Sequence, residues 1–490
     1  MSNFANQFKE IANVDRTLNG AVAYRSTGSE VLNAFANIGG MRDRTESDII
    51  QIWKDARNED KELADNLILY ARNIRETGLG ERRIGRILLK ELAKVDAPKV
   101  ARNLQTVVDA GRWDDLFVFI GTPVEKNVWD FIETQIRSDI KGMKGNQPIS
   151  LLAKWMPSIN TSSQKTRMLA RKACTIMGLT ERTYRKTLSA LRKYINVVER
   201  LMSAGEWDKI DFESVPSVAM SRYIATYNKR CQERFAEYKA SLVKGEAKVN
   251  ATTLYPYDIV KKALDQRYGW RRSSFTLDEV DEAQWKALPN YVDGSYDIVI
   301  MADVSGSMCS PENRPMATSI GLATYFAQRN QGAYHGMYLS FTNKPHFITI
   351  NDSWSLAKCI EYVENKGVGY DTNLDAGFKA IYEVAKETRE VPAMLAIISD
   401  MEINSFCGNG YESIVEKWKE LYAEIGLKAP KLLWWNVNSR GGRVLAKMNE
   451  NVAFVSGYGI GSFSQFKTLI EKTSYEAMVD ILTQPQFTWK

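Results

Sequence analysis

The feature that most constrains the fold is a change in hydrophobic periodicity near residue 290. Before it, apolar residues recur at spacings of three and four, as at Ile49, Trp53 and Ala56, which is the pattern of amphipathic helices. After it, short β-rich runs alternate with helical stretches. A single core rarely grows beyond about 250 to 300 residues, so this chain of 490 residues is expected to form at least two domains of different class.

The first part is predicted to be helical from Ser29 to about Lys262. Short links containing Gly, Pro or Asp separate the helical stretches, for example 61–76, 81–94, 97–110 and 124–141. Successive pairs of such helices indicate a HEAT-like repeat array, although the sequence has no regular period. We therefore predict a helical domain over residues 1–264, followed by a connection over 265–292.

The second part is predicted to be an α/β domain over residues 293–490. Five apolar, β-rich runs begin near Tyr296, Tyr334, Met394, Leu432 and Val452, and helical stretches lie between them. A buried parallel sheet covered on both faces is the fold that suits such runs. The pattern therefore predicts a Rossmann-like, doubly wound parallel sheet.

The first strand of this sheet leads directly into a cluster of oxygen-bearing side chains. Asp303, Ser305 and Ser307 alternate in the loop after the strand, and loops at the carboxyl ends of parallel strands line the binding crevice. Later strand-end loops supply Thr372 and Asp400. Ligands of oxygen alone suit a hard cation such as Mg²⁺, and five of them leave one octahedral position open. The alternative is that these are ordinary turn residues.

These residues make the region resemble a von Willebrand factor A domain with a metal-ion-dependent adhesion site. Asp303, Ser305 and Ser307 match its D-x-S-x-S motif, Thr372 its threonine, and Asp400 its later aspartate. The resemblance implies a bound Mg²⁺, or another divalent cation, whose open position takes a carboxylate of a partner protein. No nucleophile and base pair accompanies the site, so we expect a protein that is not an enzyme.

Charge is distributed unevenly along the chain. Residues 151–200 carry 11 Lys and Arg against two acids, a net charge of +9, within a chain whose net charge is +6. Unbalanced charges repel one another unless an anion lies close, which favours a nucleic-acid partner. Tyr184 and Tyr194 either stack on bases or belong to the core. The candidate RNA-binding residues are Lys165, Arg167, Arg171, Lys172, Arg182, Arg185, Lys186, Arg192 and Lys193.

The His and Cys content and the hydropathy of the chain bear on where the protein is located. Two histidines and five scattered cysteines leave no zinc cluster or disulfide framework, and they indicate a reducing, cytoplasmic location. No apolar run reaches the length of a membrane span, and the N-terminus lacks the apolar core of a secretory signal. We expect no membrane association, and a monomer.

Taken together, the two parts resemble the TROVE-domain proteins, the family of the Ro autoantigen. The resemblance is carried by G-x-G-E-R at Gly78, G-R-W-D-D-L at Gly111 and the metal motif. An uncharacterised Ro-related family is more similar still, because it shares the sequences LLAKWMPS and SVAM and the succession of DVSGSM and SDME. The Ro resemblance implies a ring of HEAT-like helices closed by the A domain, with small noncoding RNAs on its basic outer surface and single-stranded RNA ends in its hole.

These features lead to three hypotheses of function. The first is a noncatalytic RNA-binding protein, a Ro-like noncoding-RNA chaperone or ribonucleoprotein scaffold. The second is a protein–protein adhesion scaffold without RNA, in which the metal site binds a partner's carboxylate. The third is a nuclease that uses the metal.

Overall fold

The computed structural model describes residues 8, 11–75, 77–268, 275–292, 296–341, 344–367, 373–404 and 414–490. They form two compact units that do not follow chain order: residues 1–84 and 251–487 form the first, and 85–250 with 488–490 form the second. The predicted division into a helical domain over residues 1–264, a connection over 265–292 and an α/β domain over 293–490 stays a prediction.

The described residues contain 21 α-helices and eight strands in the following order. Up to residue 264 they are β1 (Val14–Arg16), β2 (Val22–Tyr24), α1 (Glu30–Asn37), α2 (Glu46–Glu59), α3 (Lys61–Arg72), α4 (Arg82–Val95), α5 (Ala97–Arg102), α6 (Leu104–Ala110), α7 (Glu125–Lys144), α8 (Leu152–Trp155), α9 (Gln164–Ile176), α10 (Glu181–Tyr194), α11 (Val198–Ala204), α12 (Ser217–Arg230), α13 (Gln232–Lys244) and α14 (Pro256–Leu264). After it come α15 (Glu279–Lys286), β3 (Ile298–Asp303), α16 (Arg314–Arg329), β4 (Met337–Phe341), β5 (His346–Thr349), α17 (Leu356–Gly367), α18 (Leu374–Thr388), β6 (Met394–Ser399), α19 (Ile414–Glu424), β7 (Lys431–Asn436), β8 (Val452–Ser456), α20 (Phe466–Glu471) and α21 (Ser474–Leu482).

Six strands of the first unit form one sheet in the order β5-β4-β3-β6-β7-β8. All neighbours are parallel except the edge strand β5, which runs antiparallel to β4. The chain builds outward from β3 to β5 and then returns to β6 and builds the other way. The strand order therefore reverses between β3 and β6, and this reversal is where open α/β sheets bind their ligands.

Both faces of this sheet are covered. Every residue of β6, β7 and β8 is buried, although successive side chains point to opposite faces. Burial on both sides is the property of a parallel sheet between helical layers. The predicted doubly wound α/β fold is confirmed.

Part of the helical covering comes from early in the chain. Helix α1 packs against β8, and α14 packs along α16. The glycine at position 321 of α16 allows this contact, because a Cβ there would lie only 2.9 Å from the Cβ of Pro256. Segments predicted to belong to the helical array therefore complete the first unit.

The second unit is a helical array. Helix α8 packs against α7 and α10, α9 packs against α10, and α12 packs against α13. Arg192 of α10 donates to the carbonyls of Ala153 and Met156, at 2.8 and 2.7 Å, and to the Ser158 hydroxyl at 3.0 Å. These bonds hold the segment after α8 against α10.

Candidate metal centre and basic helix face

The metal-motif residues lie at the point where the strand order reverses. Asp303 is the last residue of β3, and Asp400 directly follows β6, its parallel neighbour. Ser305 and Ser307 follow Asp303 in the loop, with their hydroxyl oxygens 3.1 Å apart. The structure thus brings together the ends of the two strands that the sequence singled out.

The Asp303 carboxylate is fixed by two donors. Its Oδ1 accepts from the Ser305 amide at 2.9 Å, and its Oδ2 accepts from the Ser399 hydroxyl at 2.6 Å. The side chain is completely buried. These bonds hold the carboxylate in one orientation at the end of the sheet.

Asp400 is less fully bonded. Its Oδ1 accepts from the Glu402 amide at 3.2 Å, whereas its buried Oδ2 has no hydrogen-bond donor. The Arg440 guanidinium approaches that oxygen to 3.2 Å, as an ion pair without hydrogen-bond geometry. A buried carboxylate oxygen without a donor is rare in proteins and costs free energy.

The surroundings of the two carboxylates raise the pKa of both. Burial raises the pKa of Asp303, and the nearby charge of Asp400 raises it further. Burial also raises the pKa of Asp400, against the opposing effect of Arg440. Two buried carboxylates beside two hydroxyls therefore fit a divalent cation that prefers oxygen ligands.

The remaining predicted ligand, Thr372, lies outside the described residues. Within the ranges that are described, no group of three or more His, Cys, Asp or Glu side chains is placed to hold a metal ion. A site here therefore depends on hydroxyls as well as carboxylates, as the motif predicts. The metal ligands and Mg²⁺ stay a prediction.

The N-terminal segment holds the loop that follows Asp400. In the turn between β1 and β2, the Thr17 hydroxyl donates to the Ile403 carbonyl at 2.6 Å, and the Leu18 amide donates to the Glu402 carboxylate at 2.6 Å. The Asn19 side chain donates to the Glu402 carbonyl, also at 2.6 Å. Residues almost 400 positions earlier thus position a loop of the candidate site.

Sequence reasoning missed these positioning residues and Arg440. The strands β1 and β2 have three residues each, too few to show a period. Arg440 had a usable signal, because it lies in a Gly-containing loop at the carboxyl end of β7, the neighbour of β6. Loops in that place line the crevice of such sheets.

The basic residues of the second unit lie on α9 and α10. Ser163 caps α9, and its hydroxyl accepts from the Thr166 amide at 3.3 Å. On α10 the buried residues are Tyr184, Leu188 and Leu191. The opposite side of α10 therefore faces solvent.

Five of the nine candidate RNA-binding residues are exposed cations with no acidic partner within 4 Å in the described part of the chain. Four of them follow the outer side of α10, and the fifth lies in the first turn of α9. At 1.5 Å per residue the α10 group extends over about 16 Å. These residues, called here the open basic face, are Lys165, Arg182, Arg185, Lys186 and Lys193.

The other four candidates are already engaged. Arg171 pairs with Glu181 at 3.0 Å, and Lys172 pairs with Glu125. Arg167 donates to the carbonyls of Thr161 and Ser162 at 2.6 and 2.9 Å. Arg192 holds the segment after α8. All four side chains therefore have contacts within the protein, which leave them less available to RNA.

The two tyrosines of α10, Tyr184 and Tyr194, differ in how deeply they are buried. Tyr184 is 2% exposed, and its hydroxyl donates to the Pro157 carbonyl at 2.8 Å, so of the two alternatives it belongs to the core. Tyr194 is half-buried and donates to the Gln147 carbonyl at 2.9 Å. The open basic face therefore offers charge rather than an aromatic platform.

Comparison with protein families gives two adjacent matches. Residues 170–294 match a domain of unknown function (DUF2828), and residues 297–484 match a second domain of unknown function (DUF7788). The boundary between them falls where the periodicity of the sequence changes. No helix in the described ranges is both long and apolar enough to span a membrane.

Similar whole chains are also known. The chain is 29% identical over 489 residues to uncharacterized protein L728 of Acanthamoeba polyphaga mimivirus, covering 91% of this chain and 82% of the relative. Among solved structures it is similar to the Ro (RSR) protein of Deinococcus radiodurans, with 12% identity, 92% of each chain covered and a TM-score of 0.34. That protein is of the Ro family which the sequence resembles, although a TM-score this low decides nothing about function.

Proposed function

We propose that this chain is a noncatalytic RNA-binding protein, a chaperone or scaffold for structured RNA with single-stranded ends. The observation that carries the proposal is the open basic face of Lys165, Arg182, Arg185, Lys186 and Lys193. A merely solvated helix intersperses charges of both signs, and these cations repel one another unless a polyanion is bound. A phosphate backbone supplies that charge at regular spacing.

The test is binding of a fluorescently labelled RNA hairpin with a single-stranded tail. The test variant replaces Arg182, Arg185, Lys186 and Lys193 with Gln. We expect its affinity to fall at least about tenfold at moderate salt, because the loss of phosphate contacts removes counterion release. An affinity equal to that of the wild type contradicts the proposal.

A matched control separates this face from net charge. It replaces four cations of the same unit with Gln: Lys94, Lys126, Arg137 and Lys209. Each forms an ion pair with an acid three or four residues away. The control therefore loses the same formal charge, and we expect its RNA affinity to stay near that of the wild type.

A second function is favoured by the carboxylate oxygen of Asp400 that lacks a donor. Asp303, Ser305, Ser307 and Asp400 would hold a divalent cation, with Thr372 as the further predicted ligand. A bound cation would offer an open position to a partner's carboxylate. The protein would then act as an adhesion scaffold. An acidic partner lost with chelator and on Asp303→Ala, with RNA binding absent, supports this second function.

A further inference from the structure

Arg440 lies against the candidate metal site from the loop that follows β7. Its Nη2 donates to the carbonyls of Ser307 and Ser310 at 2.7 and 3.3 Å, and it lies 3.2 Å from Oδ2 of Asp400. The side chain is 30% exposed, whereas the Asp400 side chain is completely buried. The guanidinium therefore closes one side of the site.

The backbone of this loop is held in place by the N-terminal segment. The Ser439 amide donates to the Gly40 carbonyl at 2.9 Å, and the Ser439 hydroxyl donates to Oδ1 of Asn37 at 2.6 Å. The Arg44 guanidinium donates to the Arg440 carbonyl. These three bonds make the position of Arg440 a fixed feature of the fold.

The charges around the site give Arg440 a role. Within the described ranges, Arg440 is the one cationic side chain that forms an ion pair with Asp303 or Asp400, the two buried carboxylates of the site. The contact lacks hydrogen-bond geometry, so it neutralises charge without satisfying the carboxylate oxygen. A divalent cation that binds Asp400 would meet the positive guanidinium at the same oxygen, and the two repel.

We propose that Arg440 is the countercharge of the metal-free site and competes with the divalent cation for Asp400. The inference rests on the metal site proposed above. It gives the site a lower affinity than its oxygen ligands alone would provide. Binding then requires the guanidinium to give up its contact with Asp400, while its bonds to the Ser307 and Ser310 carbonyls hold the loop.

The test is titration of the purified full chain with MgCl₂ and with MnCl₂ by calorimetry. We expect Arg440→Gln to bind both ions about tenfold more tightly than the wild type, because the competing charge is removed. Arg440→Lys keeps the charge without the planar fork, so we expect its affinity to stay close to the wild-type value. Arg443→Gln is the control, because Arg443 lies in the same loop but pairs with Asp15.

A second measurement in chelator is independent of the metal. We expect Arg440→Gln to lower the midpoint of thermal unfolding, because it leaves the buried carboxylates without a countercharge. The loss should shrink when Asp400→Asn is present, since the ion pair is then already broken. Additive losses would show that the two side chains are not coupled, and they would overturn the proposal.

The outcomes separate this inference from the metal site itself. If the wild type binds metal and Arg440→Gln binds it equally or more weakly, the competition is wrong while the metal site stands. If neither binds any divalent cation, both fall, and the RNA-binding proposal is unaffected. Tighter binding by Arg440→Gln but not by Arg440→Lys or Arg443→Gln supports the competition.

Discussion

Gly321 of α16 lies directly against Pro256, the first residue of α14, and a Cβ at Gly321 would approach the Pro256 Cβ to 2.9 Å. Pro256 begins a helix, and its rigid ring cannot rotate away from an added Cβ. This contact joins a helix of the α/β sheet to a helix from the part of the chain predicted to be a separate array. It is therefore a direct probe of how the first unit is assembled.

We predict that Gly321→Ala destabilises the first unit by about 1–3 kcal/mol, because overpacking must push α14 and α16 apart. Gly377→Ala in α18 is the matched control. A Cβ there would be too close only to the terminal methyl of Met301, at 2.7 Å, which can move, and its contacts with Leu339 and Phe341 at 3.5 Å are ordinary. Chemical denaturation measures both variants, and equal effects would contradict the tight α14–α16 contact.

The sequence predicted local structure well and packing partners poorly. The stretch 124–141 was predicted and is the helix α7, which begins at Glu125 and ends at Lys144, whereas 97–110 is interrupted at Asn103. The edge strand β5 was missed because it has four residues, with its buried Ile348 between two exposed neighbours. The association of α1 and α14 with the sheet was not predictable, because an amphipathic pattern shows which face is buried but not against what.

The candidate site was also predicted only in part. Asp303 and Asp400 were identified because they follow apolar runs, and parallel strands end at one edge of a sheet. The open basic face was identified from its charge, but its engaged members were not. Arg192 and Lys193 are cationic neighbours in sequence that occupy different sides of α10.

That difference gives a prediction for two adjacent residues. Arg192→Met should destabilise the second unit by about 1–3 kcal/mol, because the carbonyls of Ala153 and Met156 lose their donor. Lys193→Gln should leave stability unchanged within about 0.5 kcal/mol and weaken RNA binding. Denaturation and RNA titration of both variants check this, and the reverse pattern would show that the assignment is wrong.

Thr17 provides a test of the N-terminal turn as a positioning element. Its buried hydroxyl donates to the Ile403 carbonyl and accepts from the Ala21 amide at 2.9 Å. Thr17→Val keeps the shape and leaves both groups without partners, so we expect a loss of about 1–3 kcal/mol. Thr388→Val, at an exposed helix position, should change stability by less than about 0.5 kcal/mol.

Lys431 gives the chain a specific dependence on pH. Burial lowers the pKa of this lysine to about 8 from its ordinary value of 10.5. Between these values the folded chain has released the proton that the unfolded chain still holds, so stability rises with pH over that window. Lys431→Met should lack this rise. Unfolding midpoints from pH 7 to 11 measure the difference between the two proteins, and parallel curves would contradict it.

The most direct test of the central claim is the salt dependence of binding to the tailed RNA hairpin. For a single strand each phosphate contact contributes about −0.7 to the slope of log affinity against log salt. We predict a steep negative slope for the wild type and for the Lys94, Lys126, Arg137 and Lys209 control. The slope should be shallower by up to about 2.8 for the Arg182, Arg185, Lys186 and Lys193 variant. A wild-type slope near zero, or one that the variant leaves unchanged, would contradict RNA binding by this face.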